Sequence, residues 1–567
     1  MIRRVLSALR AWFALIVIGV TFLWATVTIV MHRTIEAPPG TLTLHVGHWQ
    51  LESGVRDAFN ALAADYQRLH PNVRIIQDAV PEGAYGQWLT TQLMGGTAPD
   101  ILQIGTGCGL PAHVMLAYYN RYFTPLTRAV NQPNPYNAGT DIERVPLRAT
   151  YKDGMRSSYI DELQEYMSMP LALFGVRVFY NRDLLKKITG LEAAPRDYRA
   201  FLGVCEQIKR AKNPQGKNYI PIAGSRYHIG WWEGLMMDPL TYGVVRRADF
   251  NRDGFVGNDE MYVAFKTGRI DFNYPPLRAR FTMLREVTDN FQTGFTGLTR
   301  DEAVFLFAQQ NAVFITSGTW DARSLVQQAE GQFRVGIMDF PLPAKDDPFY
   351  GPVIEGPCYE RPLGGFPFCI TRTSRHPEIA LDFLLFLSSR RGNEKFNRIA
   401  GWIPCVTGAE MEPFLKDFEP HLEGVYGAMN LFLGGETWVK WLQLSSLYQV
   451  RQISYETLTA EFTPFYKEHG LRDFMELQSD WRRGMHNNEQ FLAGMRALAM
   501  HATNDAPAQW IKYRTLAASR QIRPEIEHGR QMDMLARGPA LAATGPYEYS
   551  SNVLAMVRRR LEQGGGK

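Results

Sequence analysis

Residues 41–105 run strand, helix, strand, helix, strand, and each stretch carries its own hydrophobic period. Leu42, Leu44 and Val46 alternate with polar or small neighbours, whereas Phe59, Leu62, Tyr66 and Leu69 recur three and four residues apart. His70-Pro71-Asn72 ends that helix, because the residue before a proline is pushed out of the helical region. Residues 73–76 are short and β-branched, 85–94 read as a second helix, and 100–104 form a buried strand opening onto Gly105-Thr106-Gly107-Cys108-Gly109. Strands alternating with helices imply an α/β architecture with a parallel sheet.

At 567 residues the chain is long enough for two or three domains, and 45% hydrophobic with 12% aromatic residues supplies their cores. Lysine and arginine number 61 against 57 acidic residues, a formal charge of +4 without long basic runs, so nothing electrostatic favours nucleic acid as a partner. Residues 12–30 are 19 consecutive uncharged positions, about 28 Å as a helix, the thickness of a bilayer's hydrocarbon core. Arg3, Arg4 and Arg10 precede this stretch and Arg33 follows it. The positive-inside bias therefore keeps the N-terminus cytoplasmic and sends the bulk of the chain to the periplasm or exterior. Val30-Met31-His32-Arg33 offers no small-x-small cleavage site, which favours a single-pass anchor in residues 1–36 and a linker at 37–40 over a cleaved signal peptide.

Cys108, Cys205, Cys358, Cys369 and Cys405 form no CxxC pair, and none stands at zinc-ligand spacing to a histidine. Two readings stay open: five buried thiols, or a bridge between Cys358 and Cys369 across the turn-rich Pro362-Leu363-Gly364-Gly365. The sharpest motif spans residues 249–260, which meet the EF-hand loop pattern at each diagnostic position. Asp249, Asn251 and Asp253 supply side-chain oxygens, Phe255 a backbone carbonyl and Glu260 a bidentate carboxylate, while Gly254 permits the sharp turn. A single such loop inside a larger domain predicts structural Ca2+ rather than a sensor, since sensor loops usually come in pairs.

Several motifs in order carry a family resemblance: His48-Trp49-Gln50, Phe59-Asn60, His70-Pro71-Asn72-Val73, Gly96-Thr97-Ala98-Pro99-Asp100-Ile101, Met169-Pro170-Leu171, Phe179-Tyr180-Asn181-Arg182, Ser317-Gly318-Thr319-Trp320-Asp321 and Ser374-Arg375-His376-Pro377-Glu378. Over about residues 41–460 the chain resembles the extracellular, maltose-binding-protein-like solute-binding proteins of sugar ABC transporters. The resemblance implies a two-lobed periplasmic-binding-protein-like α/β fold with a hinge, lobe 1 from 41–167 and 335–399 and lobe 2 from 168–334 and 400–462. To this are added the N-terminal transmembrane helix and a helical C-terminal extension over 463–567, where Phe474, Leu477, Trp481 and Met485 trace one stripe. The implied partners are a carbohydrate or oligosaccharide, separate ABC permease subunits and the membrane.

A carbohydrate site needs aromatic faces for the sugar's C–H faces and polar groups for its hydroxyls. Trp49 ends the first strand, on the side where parallel sheets bind ligands, and the same argument places Asp100 there. Tyr227, Trp231 and Trp232 cluster in one segment, Trp320-Asp321 follows a strand, and Trp402 lies in Gly401-Trp402-Ile403-Pro404. A glycan-cleaving enzyme would need paired carboxylates, for which Glu82, Asp100, Asp321 and Glu355 are available, but no nucleophile elbow, HExxH or phosphate loop accompanies them. A membrane-anchored sugar receptor or scaffold uncoupled from import is the further alternative, motivated by the extension.

Overall fold

The computed structural model describes residues 40–538, apart from Glu52, Thr106, Leu363, Ala428 and Phe432, together with residues 19–24 and 26–27. The elements that position the site begin with β1 (Leu42–His48), α1 (Ser53–Leu69), β2 (Val73–Ala79), α2 (Glu82–Gly95) and β3 (Ile101–Gln103). They continue through β4 (Val176–Asn181), β5 (Ile220–Ala223), α3 (Arg226–Trp231), α4 (Asn258–Lys266), α5 (Arg300–Ala308), β6 (Ala312–Gly318), α6 (Thr319–Ala329), β7 (Val335–Met338), β8 (Gly364–Ile370) and α7 (Arg390–Ala400). The chain then becomes helical, with α8 (Gly435–Gln449), α9 (Tyr455–His501), α10 (Ala506–Ala517) and α11 (Arg523–Arg537).

Two compact units result. The first comprises the described residues of 1–124, 134–143 and 366–400, and the second those of 125–133, 144–365 and 401–567. In the first unit β1 pairs in parallel with β2 from Leu42↔Val73 to His48↔Ala79, and with β3 at Val46↔Ile101. β8 joins β3 antiparallel at Phe368↔Gln103, so the sheet is mixed, not purely parallel as the alternation of elements implied. The α1 stripe of Val55, Ala58, Phe59, Leu62 and Tyr66 is buried. Phe59 is ringed by His48 at 5.2 Å, Phe368 at 5.5 Å and Phe396 of α7 at 5.1 Å between ring centroids. Burying a side chain of this size contributes roughly 1.5–3 kcal/mol, which is why the helical period in the sequence survives into the fold.

The second unit is built on a sheet of order β7-β4-β6-β5, in which β4 and β6 are buried along their whole length. β7 pairs antiparallel with β4 at Val335↔Asn181 and Met338↔Val178. Residues 335–365 and 144–167 fall in this unit, where the resemblance implied lobe boundaries at 167 and 335. The C-terminal helices are not a separate body either. Leu458, Phe462, Tyr466 and Phe474 of α9 share one core with Tyr262 and Phe265 of α4, with Phe272 and with Trp441 of α8. Gly470 is what lets α9 approach: a Cβ there would lie 2.6 Å from the Tyr262 ring. Of the expected stripe, Phe474 and Leu477 reach this core, while the side chains of Trp481 and Met485 lie outside the described residues.

No disulfide forms among the five cysteines. Cys358 lies beside Val425 in a short bridge, whereas Cys369 sits inside β8, so the turn between them does not close a hairpin. Residues 12–30 lie largely outside the described residues. Those described, 19–24 and 26–27, are helical, and among the described residues no helix is long and apolar enough to cross a membrane.

Candidate functional site

In the first unit a pocket of about 450 Å³ opens beyond the carboxyl ends of β1 and β3, lined by Glu82, Gly83, Gly86, Gln87, Gly107 and Gly109. Trp49 follows β1 directly; its N–H donates to Gln103 Oε1 at 3.3 Å and its ring meets Tyr85 edge-on at 5.0 Å. The Tyr85 hydroxyl donates to the Gln103 carbonyl at 2.6 Å, tying α2 to β3. Gly86 is required at this seam, because a Cβ would sit 2.7 Å from the Cys108 carbonyl oxygen. Glu82 and Gln87 are exposed and supply the pocket's side-chain polar groups.

Asp100 is not part of this pocket. It precedes β3, at the amino end of the strand, and its two oxygens accept from the His45 N–H at 2.9 Å and the Ser374 hydroxyl at 2.6 Å. Its carboxylate is consumed in joining β1 to the turn after β8.

In the second unit, aromatic side chains from three segments form one surface. Trp231 at the end of α3 lies 5.4 Å from Trp320 in the first turn of α6, and Tyr227 lies 6.0 Å from Trp231. Phe174, from the turn before β4, packs edge-on to Trp320 at 5.5 Å. Tyr227 is 39% exposed, and Phe174, Trp231 and Trp320 are half-buried. Gly318 makes the arrangement possible, since a Cβ there would fall 2.3 Å from the Trp320 ring. Asp321 is buried beside this surface, accepts from the Ser317 hydroxyl and pairs with Arg300 of α5. Arg300 also lies over the Tyr227 ring, 5.8 Å from its centroid. His228 is fully buried with Nδ1 2.8 Å from Ser225 Oγ; burial and the neighbouring Arg300 charge push it down to about 4, so it is neutral at physiological pH.

Trp232 and Trp402 are core. Trp232 is fully buried between Phe201 at 5.9 Å and Phe340 at 5.0 Å, and Trp402 is buried edge-on to Phe174. Consecutive residues on a helix point about 100° apart, so only one of the pair Trp231-Trp232 can face outward. The choice depends on packing, and a π-turn over Trp232–Met236 follows it. Arg300 and Phe174 were not among the expected site residues. Phe174-Gly175, an aromatic in a turn between two apolar runs, was a readable signal; the Arg300–Asp321 pair bridges two helices and leaves no trace in local pattern.

The loop of residues 249–260 turns as its motif requires, with φ +63° at Arg252 and +84° at Gly254. Asp249 Oδ1 accepts from Arg252 N–H and Oδ2 from Gly254 N–H at 2.9 Å; Asn251 Oδ1 accepts from Asp253 N–H at 2.9 Å. Glu260 is buried and accepts from the N–H groups of Phe250, Asn251 and Gly257 at 2.8, 3.0 and 3.1 Å. Burial pushes its carboxyl up to about 8. Among the described residues no three acidic, histidine or cysteine side chains converge as a ready metal cluster, so the loop's oxygens here satisfy its own backbone. Val256 pairs with Met429, and Asn430 N–H donates to the Val256 carbonyl at 2.9 Å, anchoring the loop to the segment before α8.

Comparison with known proteins agrees with this architecture. Among curated proteins, the chain is 20% identical over 352 residues to a multiple sugar-binding protein of Streptococcus mutans, covering 61% of this chain and 71% of the relative. It is 20% identical over 426 residues to the sn-glycerol-3-phosphate-binding periplasmic protein of Escherichia coli, covering 73% and 86%. A solved chitin oligosaccharide binding protein superposes with a TM-score of 0.51 at 16% identity, covering 76% of this chain and 99% of the other. The model of the bacterial extracellular solute-binding proteins matches residues 61–421, and the chain belongs to that family.

Proposed function

We propose that this protein captures a carbohydrate outside the cytoplasm and hands it, unaltered, to the permease subunits of an ABC importer. The observation that carries the reading is the contiguous surface of Tyr227, Trp231, Trp320 and Phe174 beside buried polar groups. Aromatic faces take up the C–H faces of a sugar ring, and fixed polar groups orient it. Family membership and the named sugar-binding relative support the same reading. Hydrolysis is not part of the reading; of the carboxylates a glycan-cleaving enzyme would need, Asp321 is held by Arg300 and Ser317 and Asp100 by His45 and Ser374. Thermal-shift screening of the full chain against a panel of mono- and oligosaccharides, followed by chromatography of the incubated sugars, tests the reading. The expected result is a stabilising sugar recovered intact; no stabilising sugar, or a cleaved one, would overturn it.

Residues 12–30 are proposed to keep the protein on the membrane as an uncleaved anchor. Calcium is proposed to occupy the 249–260 loop, held by the side chains of Asp249, Asn251, Asp253 and Glu260 and the Phe255 carbonyl. The donor set is all hard oxygen, as calcium prefers, and the turn geometry supports it.

A further inference from the structure

The sugar reading leaves open whether the ligand is neutral or carries a phosphate, and the second unit's aromatic surface bears on that choice. The structure places the cation Arg300 on this surface, with its side chain 24% exposed and its guanidinium paired with Asp321. The Asp321 side chain is only 9% exposed, and its other oxygen accepts from Ser317 within β6. Asp321 therefore cannot swing away without abandoning a buried hydroxyl. Burial works against the Arg300 charge and Asp321 more than offsets it, holding the guanidinium above its ordinary pKa. The two charges cancel, and His228 beside them is neutral.

We propose that Asp321 sets the charge class of the ligand: by neutralising Arg300 it makes the aromatic surface a receptor for an uncharged saccharide and excludes phosphate esters. This rests on the carbohydrate reading above and narrows it. A phosphate ester brings nearly two negative charges to ring faces that are themselves electron-rich. To bind it, Arg300 would have to turn its donors from Asp321, leaving a buried carboxylate unpaired, which is the costly outcome for a buried pair. A neutral saccharide makes no such demand.

Calorimetric titration of the purified full chain tests this with a neutral panel (maltose, raffinose, chitobiose, xylobiose) and an anionic one (sn-glycerol 3-phosphate, glucose 6-phosphate). The wild type is expected to bind at least one neutral saccharide and the phosphate esters at least about a hundredfold more weakly. Asp321→Asn, which removes the buried partner of Arg300 and leaves it only the exposed Asp301 at 3.6 Å, should gain phosphate-ester affinity by about tenfold or more, Asp321→Glu should keep the exclusion, and the double variant Arg300→Gln with Asp321→Asn should lose the gain. A wild type that takes a phosphate ester as tightly as a neutral saccharide overturns the charge assignment while leaving capture of a polyhydroxylated solute intact. A folded Asp321→Asn protein with no gain also overturns it. If that variant fails to fold, by circular dichroism, the wild-type comparison and the charge-free double variant decide: any phosphate-ester binding by the double variant places the anion contact elsewhere. Binding to neither panel sinks the carbohydrate reading and this proposal together.

Discussion

The tryptophans differ in consequence because their burial differs. Trp320 is half-buried on the aromatic surface, so Trp320→Ala is expected to weaken saccharide binding at least about tenfold, roughly 1.4 kcal/mol, by calorimetric titration. Trp232→Ala should instead cost about 3–5 kcal/mol of stability, read from chemical denaturation, because it empties a core position between Phe201 and Phe340. Equal losses of affinity from the two variants, at matched stability, would remove the distinction drawn here. His228 supplies a pH dependence. The unfolded chain takes a proton on this residue below its ordinary 6.5, but the folded chain only below about 4. Stability is therefore lost as pH falls from 6.5 toward 4 and levels off below that, by an amount on the order of 2–3 kcal/mol for this group. His228→Gln should show a correspondingly smaller drop in melting temperature between pH 7 and pH 4.5; an unchanged drop refutes it.

Among elements, the 249–260 loop and the helices behind it form one assembly. α4 begins inside the loop motif, Gln531 of α11 donates to Asp259 at 2.6 Å, and Arg523 stands 3.8 Å from Asp253. If calcium fills the loop, adding it to chelator-treated protein should raise the melting temperature by at least about 2 °C, and Asp249→Asn should abolish the rise. An identical melting curve with calcium and with chelator would mean that the loop's backbone hydrogen bonds suffice. The contact of α9 with α4 gives a second test. Gly470→Ala forces a Cβ against the Tyr262 ring, so about 1–3 kcal/mol of stability should be lost although alanine is the better helix former.

At the scale of the molecule, the C-terminal helices and the second unit share a core. Removing residues 455–567 would strip Leu458, Phe462, Tyr466 and Phe474 from Tyr262, Phe265, Phe272 and Trp441. The shortened chain is expected to aggregate or to lose its cooperative unfolding transition, measured by light scattering and calorimetry; a monomer that melts like the full chain would show the extension to be dispensable. The proposed anchor is tested separately: protein from native membranes should resist carbonate extraction and retain residues 12–30 by mass spectrometry, and a mature chain beginning beyond residue 30 would refute anchorage.

What was legible in the sequence was local. Alternation at period two and recurrence at three and four residues mark β1, α1, β2, α2 and β3, because burying one face of an element dictates its spacing whatever lies opposite. The turn at Gly254 was equally readable, since its motif is contained in twelve successive residues. Trp231, Trp320 and Tyr227 were recognisable as a set of large aromatics beside polar residues. Long-range partnership was not legible. The antiparallel entry of β8, the assignment of β7 to the second unit and the burial of Trp232 and Trp402 each depend on which distant segment packs alongside. Asp100 looked available until the fold brought His45 and Ser374 to it, and Asp321 acquired its role only when α5 delivered Arg300. Sequence spacing determines which face of an element is apolar; only tertiary packing decides what that face meets, and so which polar groups are spent on the fold and which are left for a ligand.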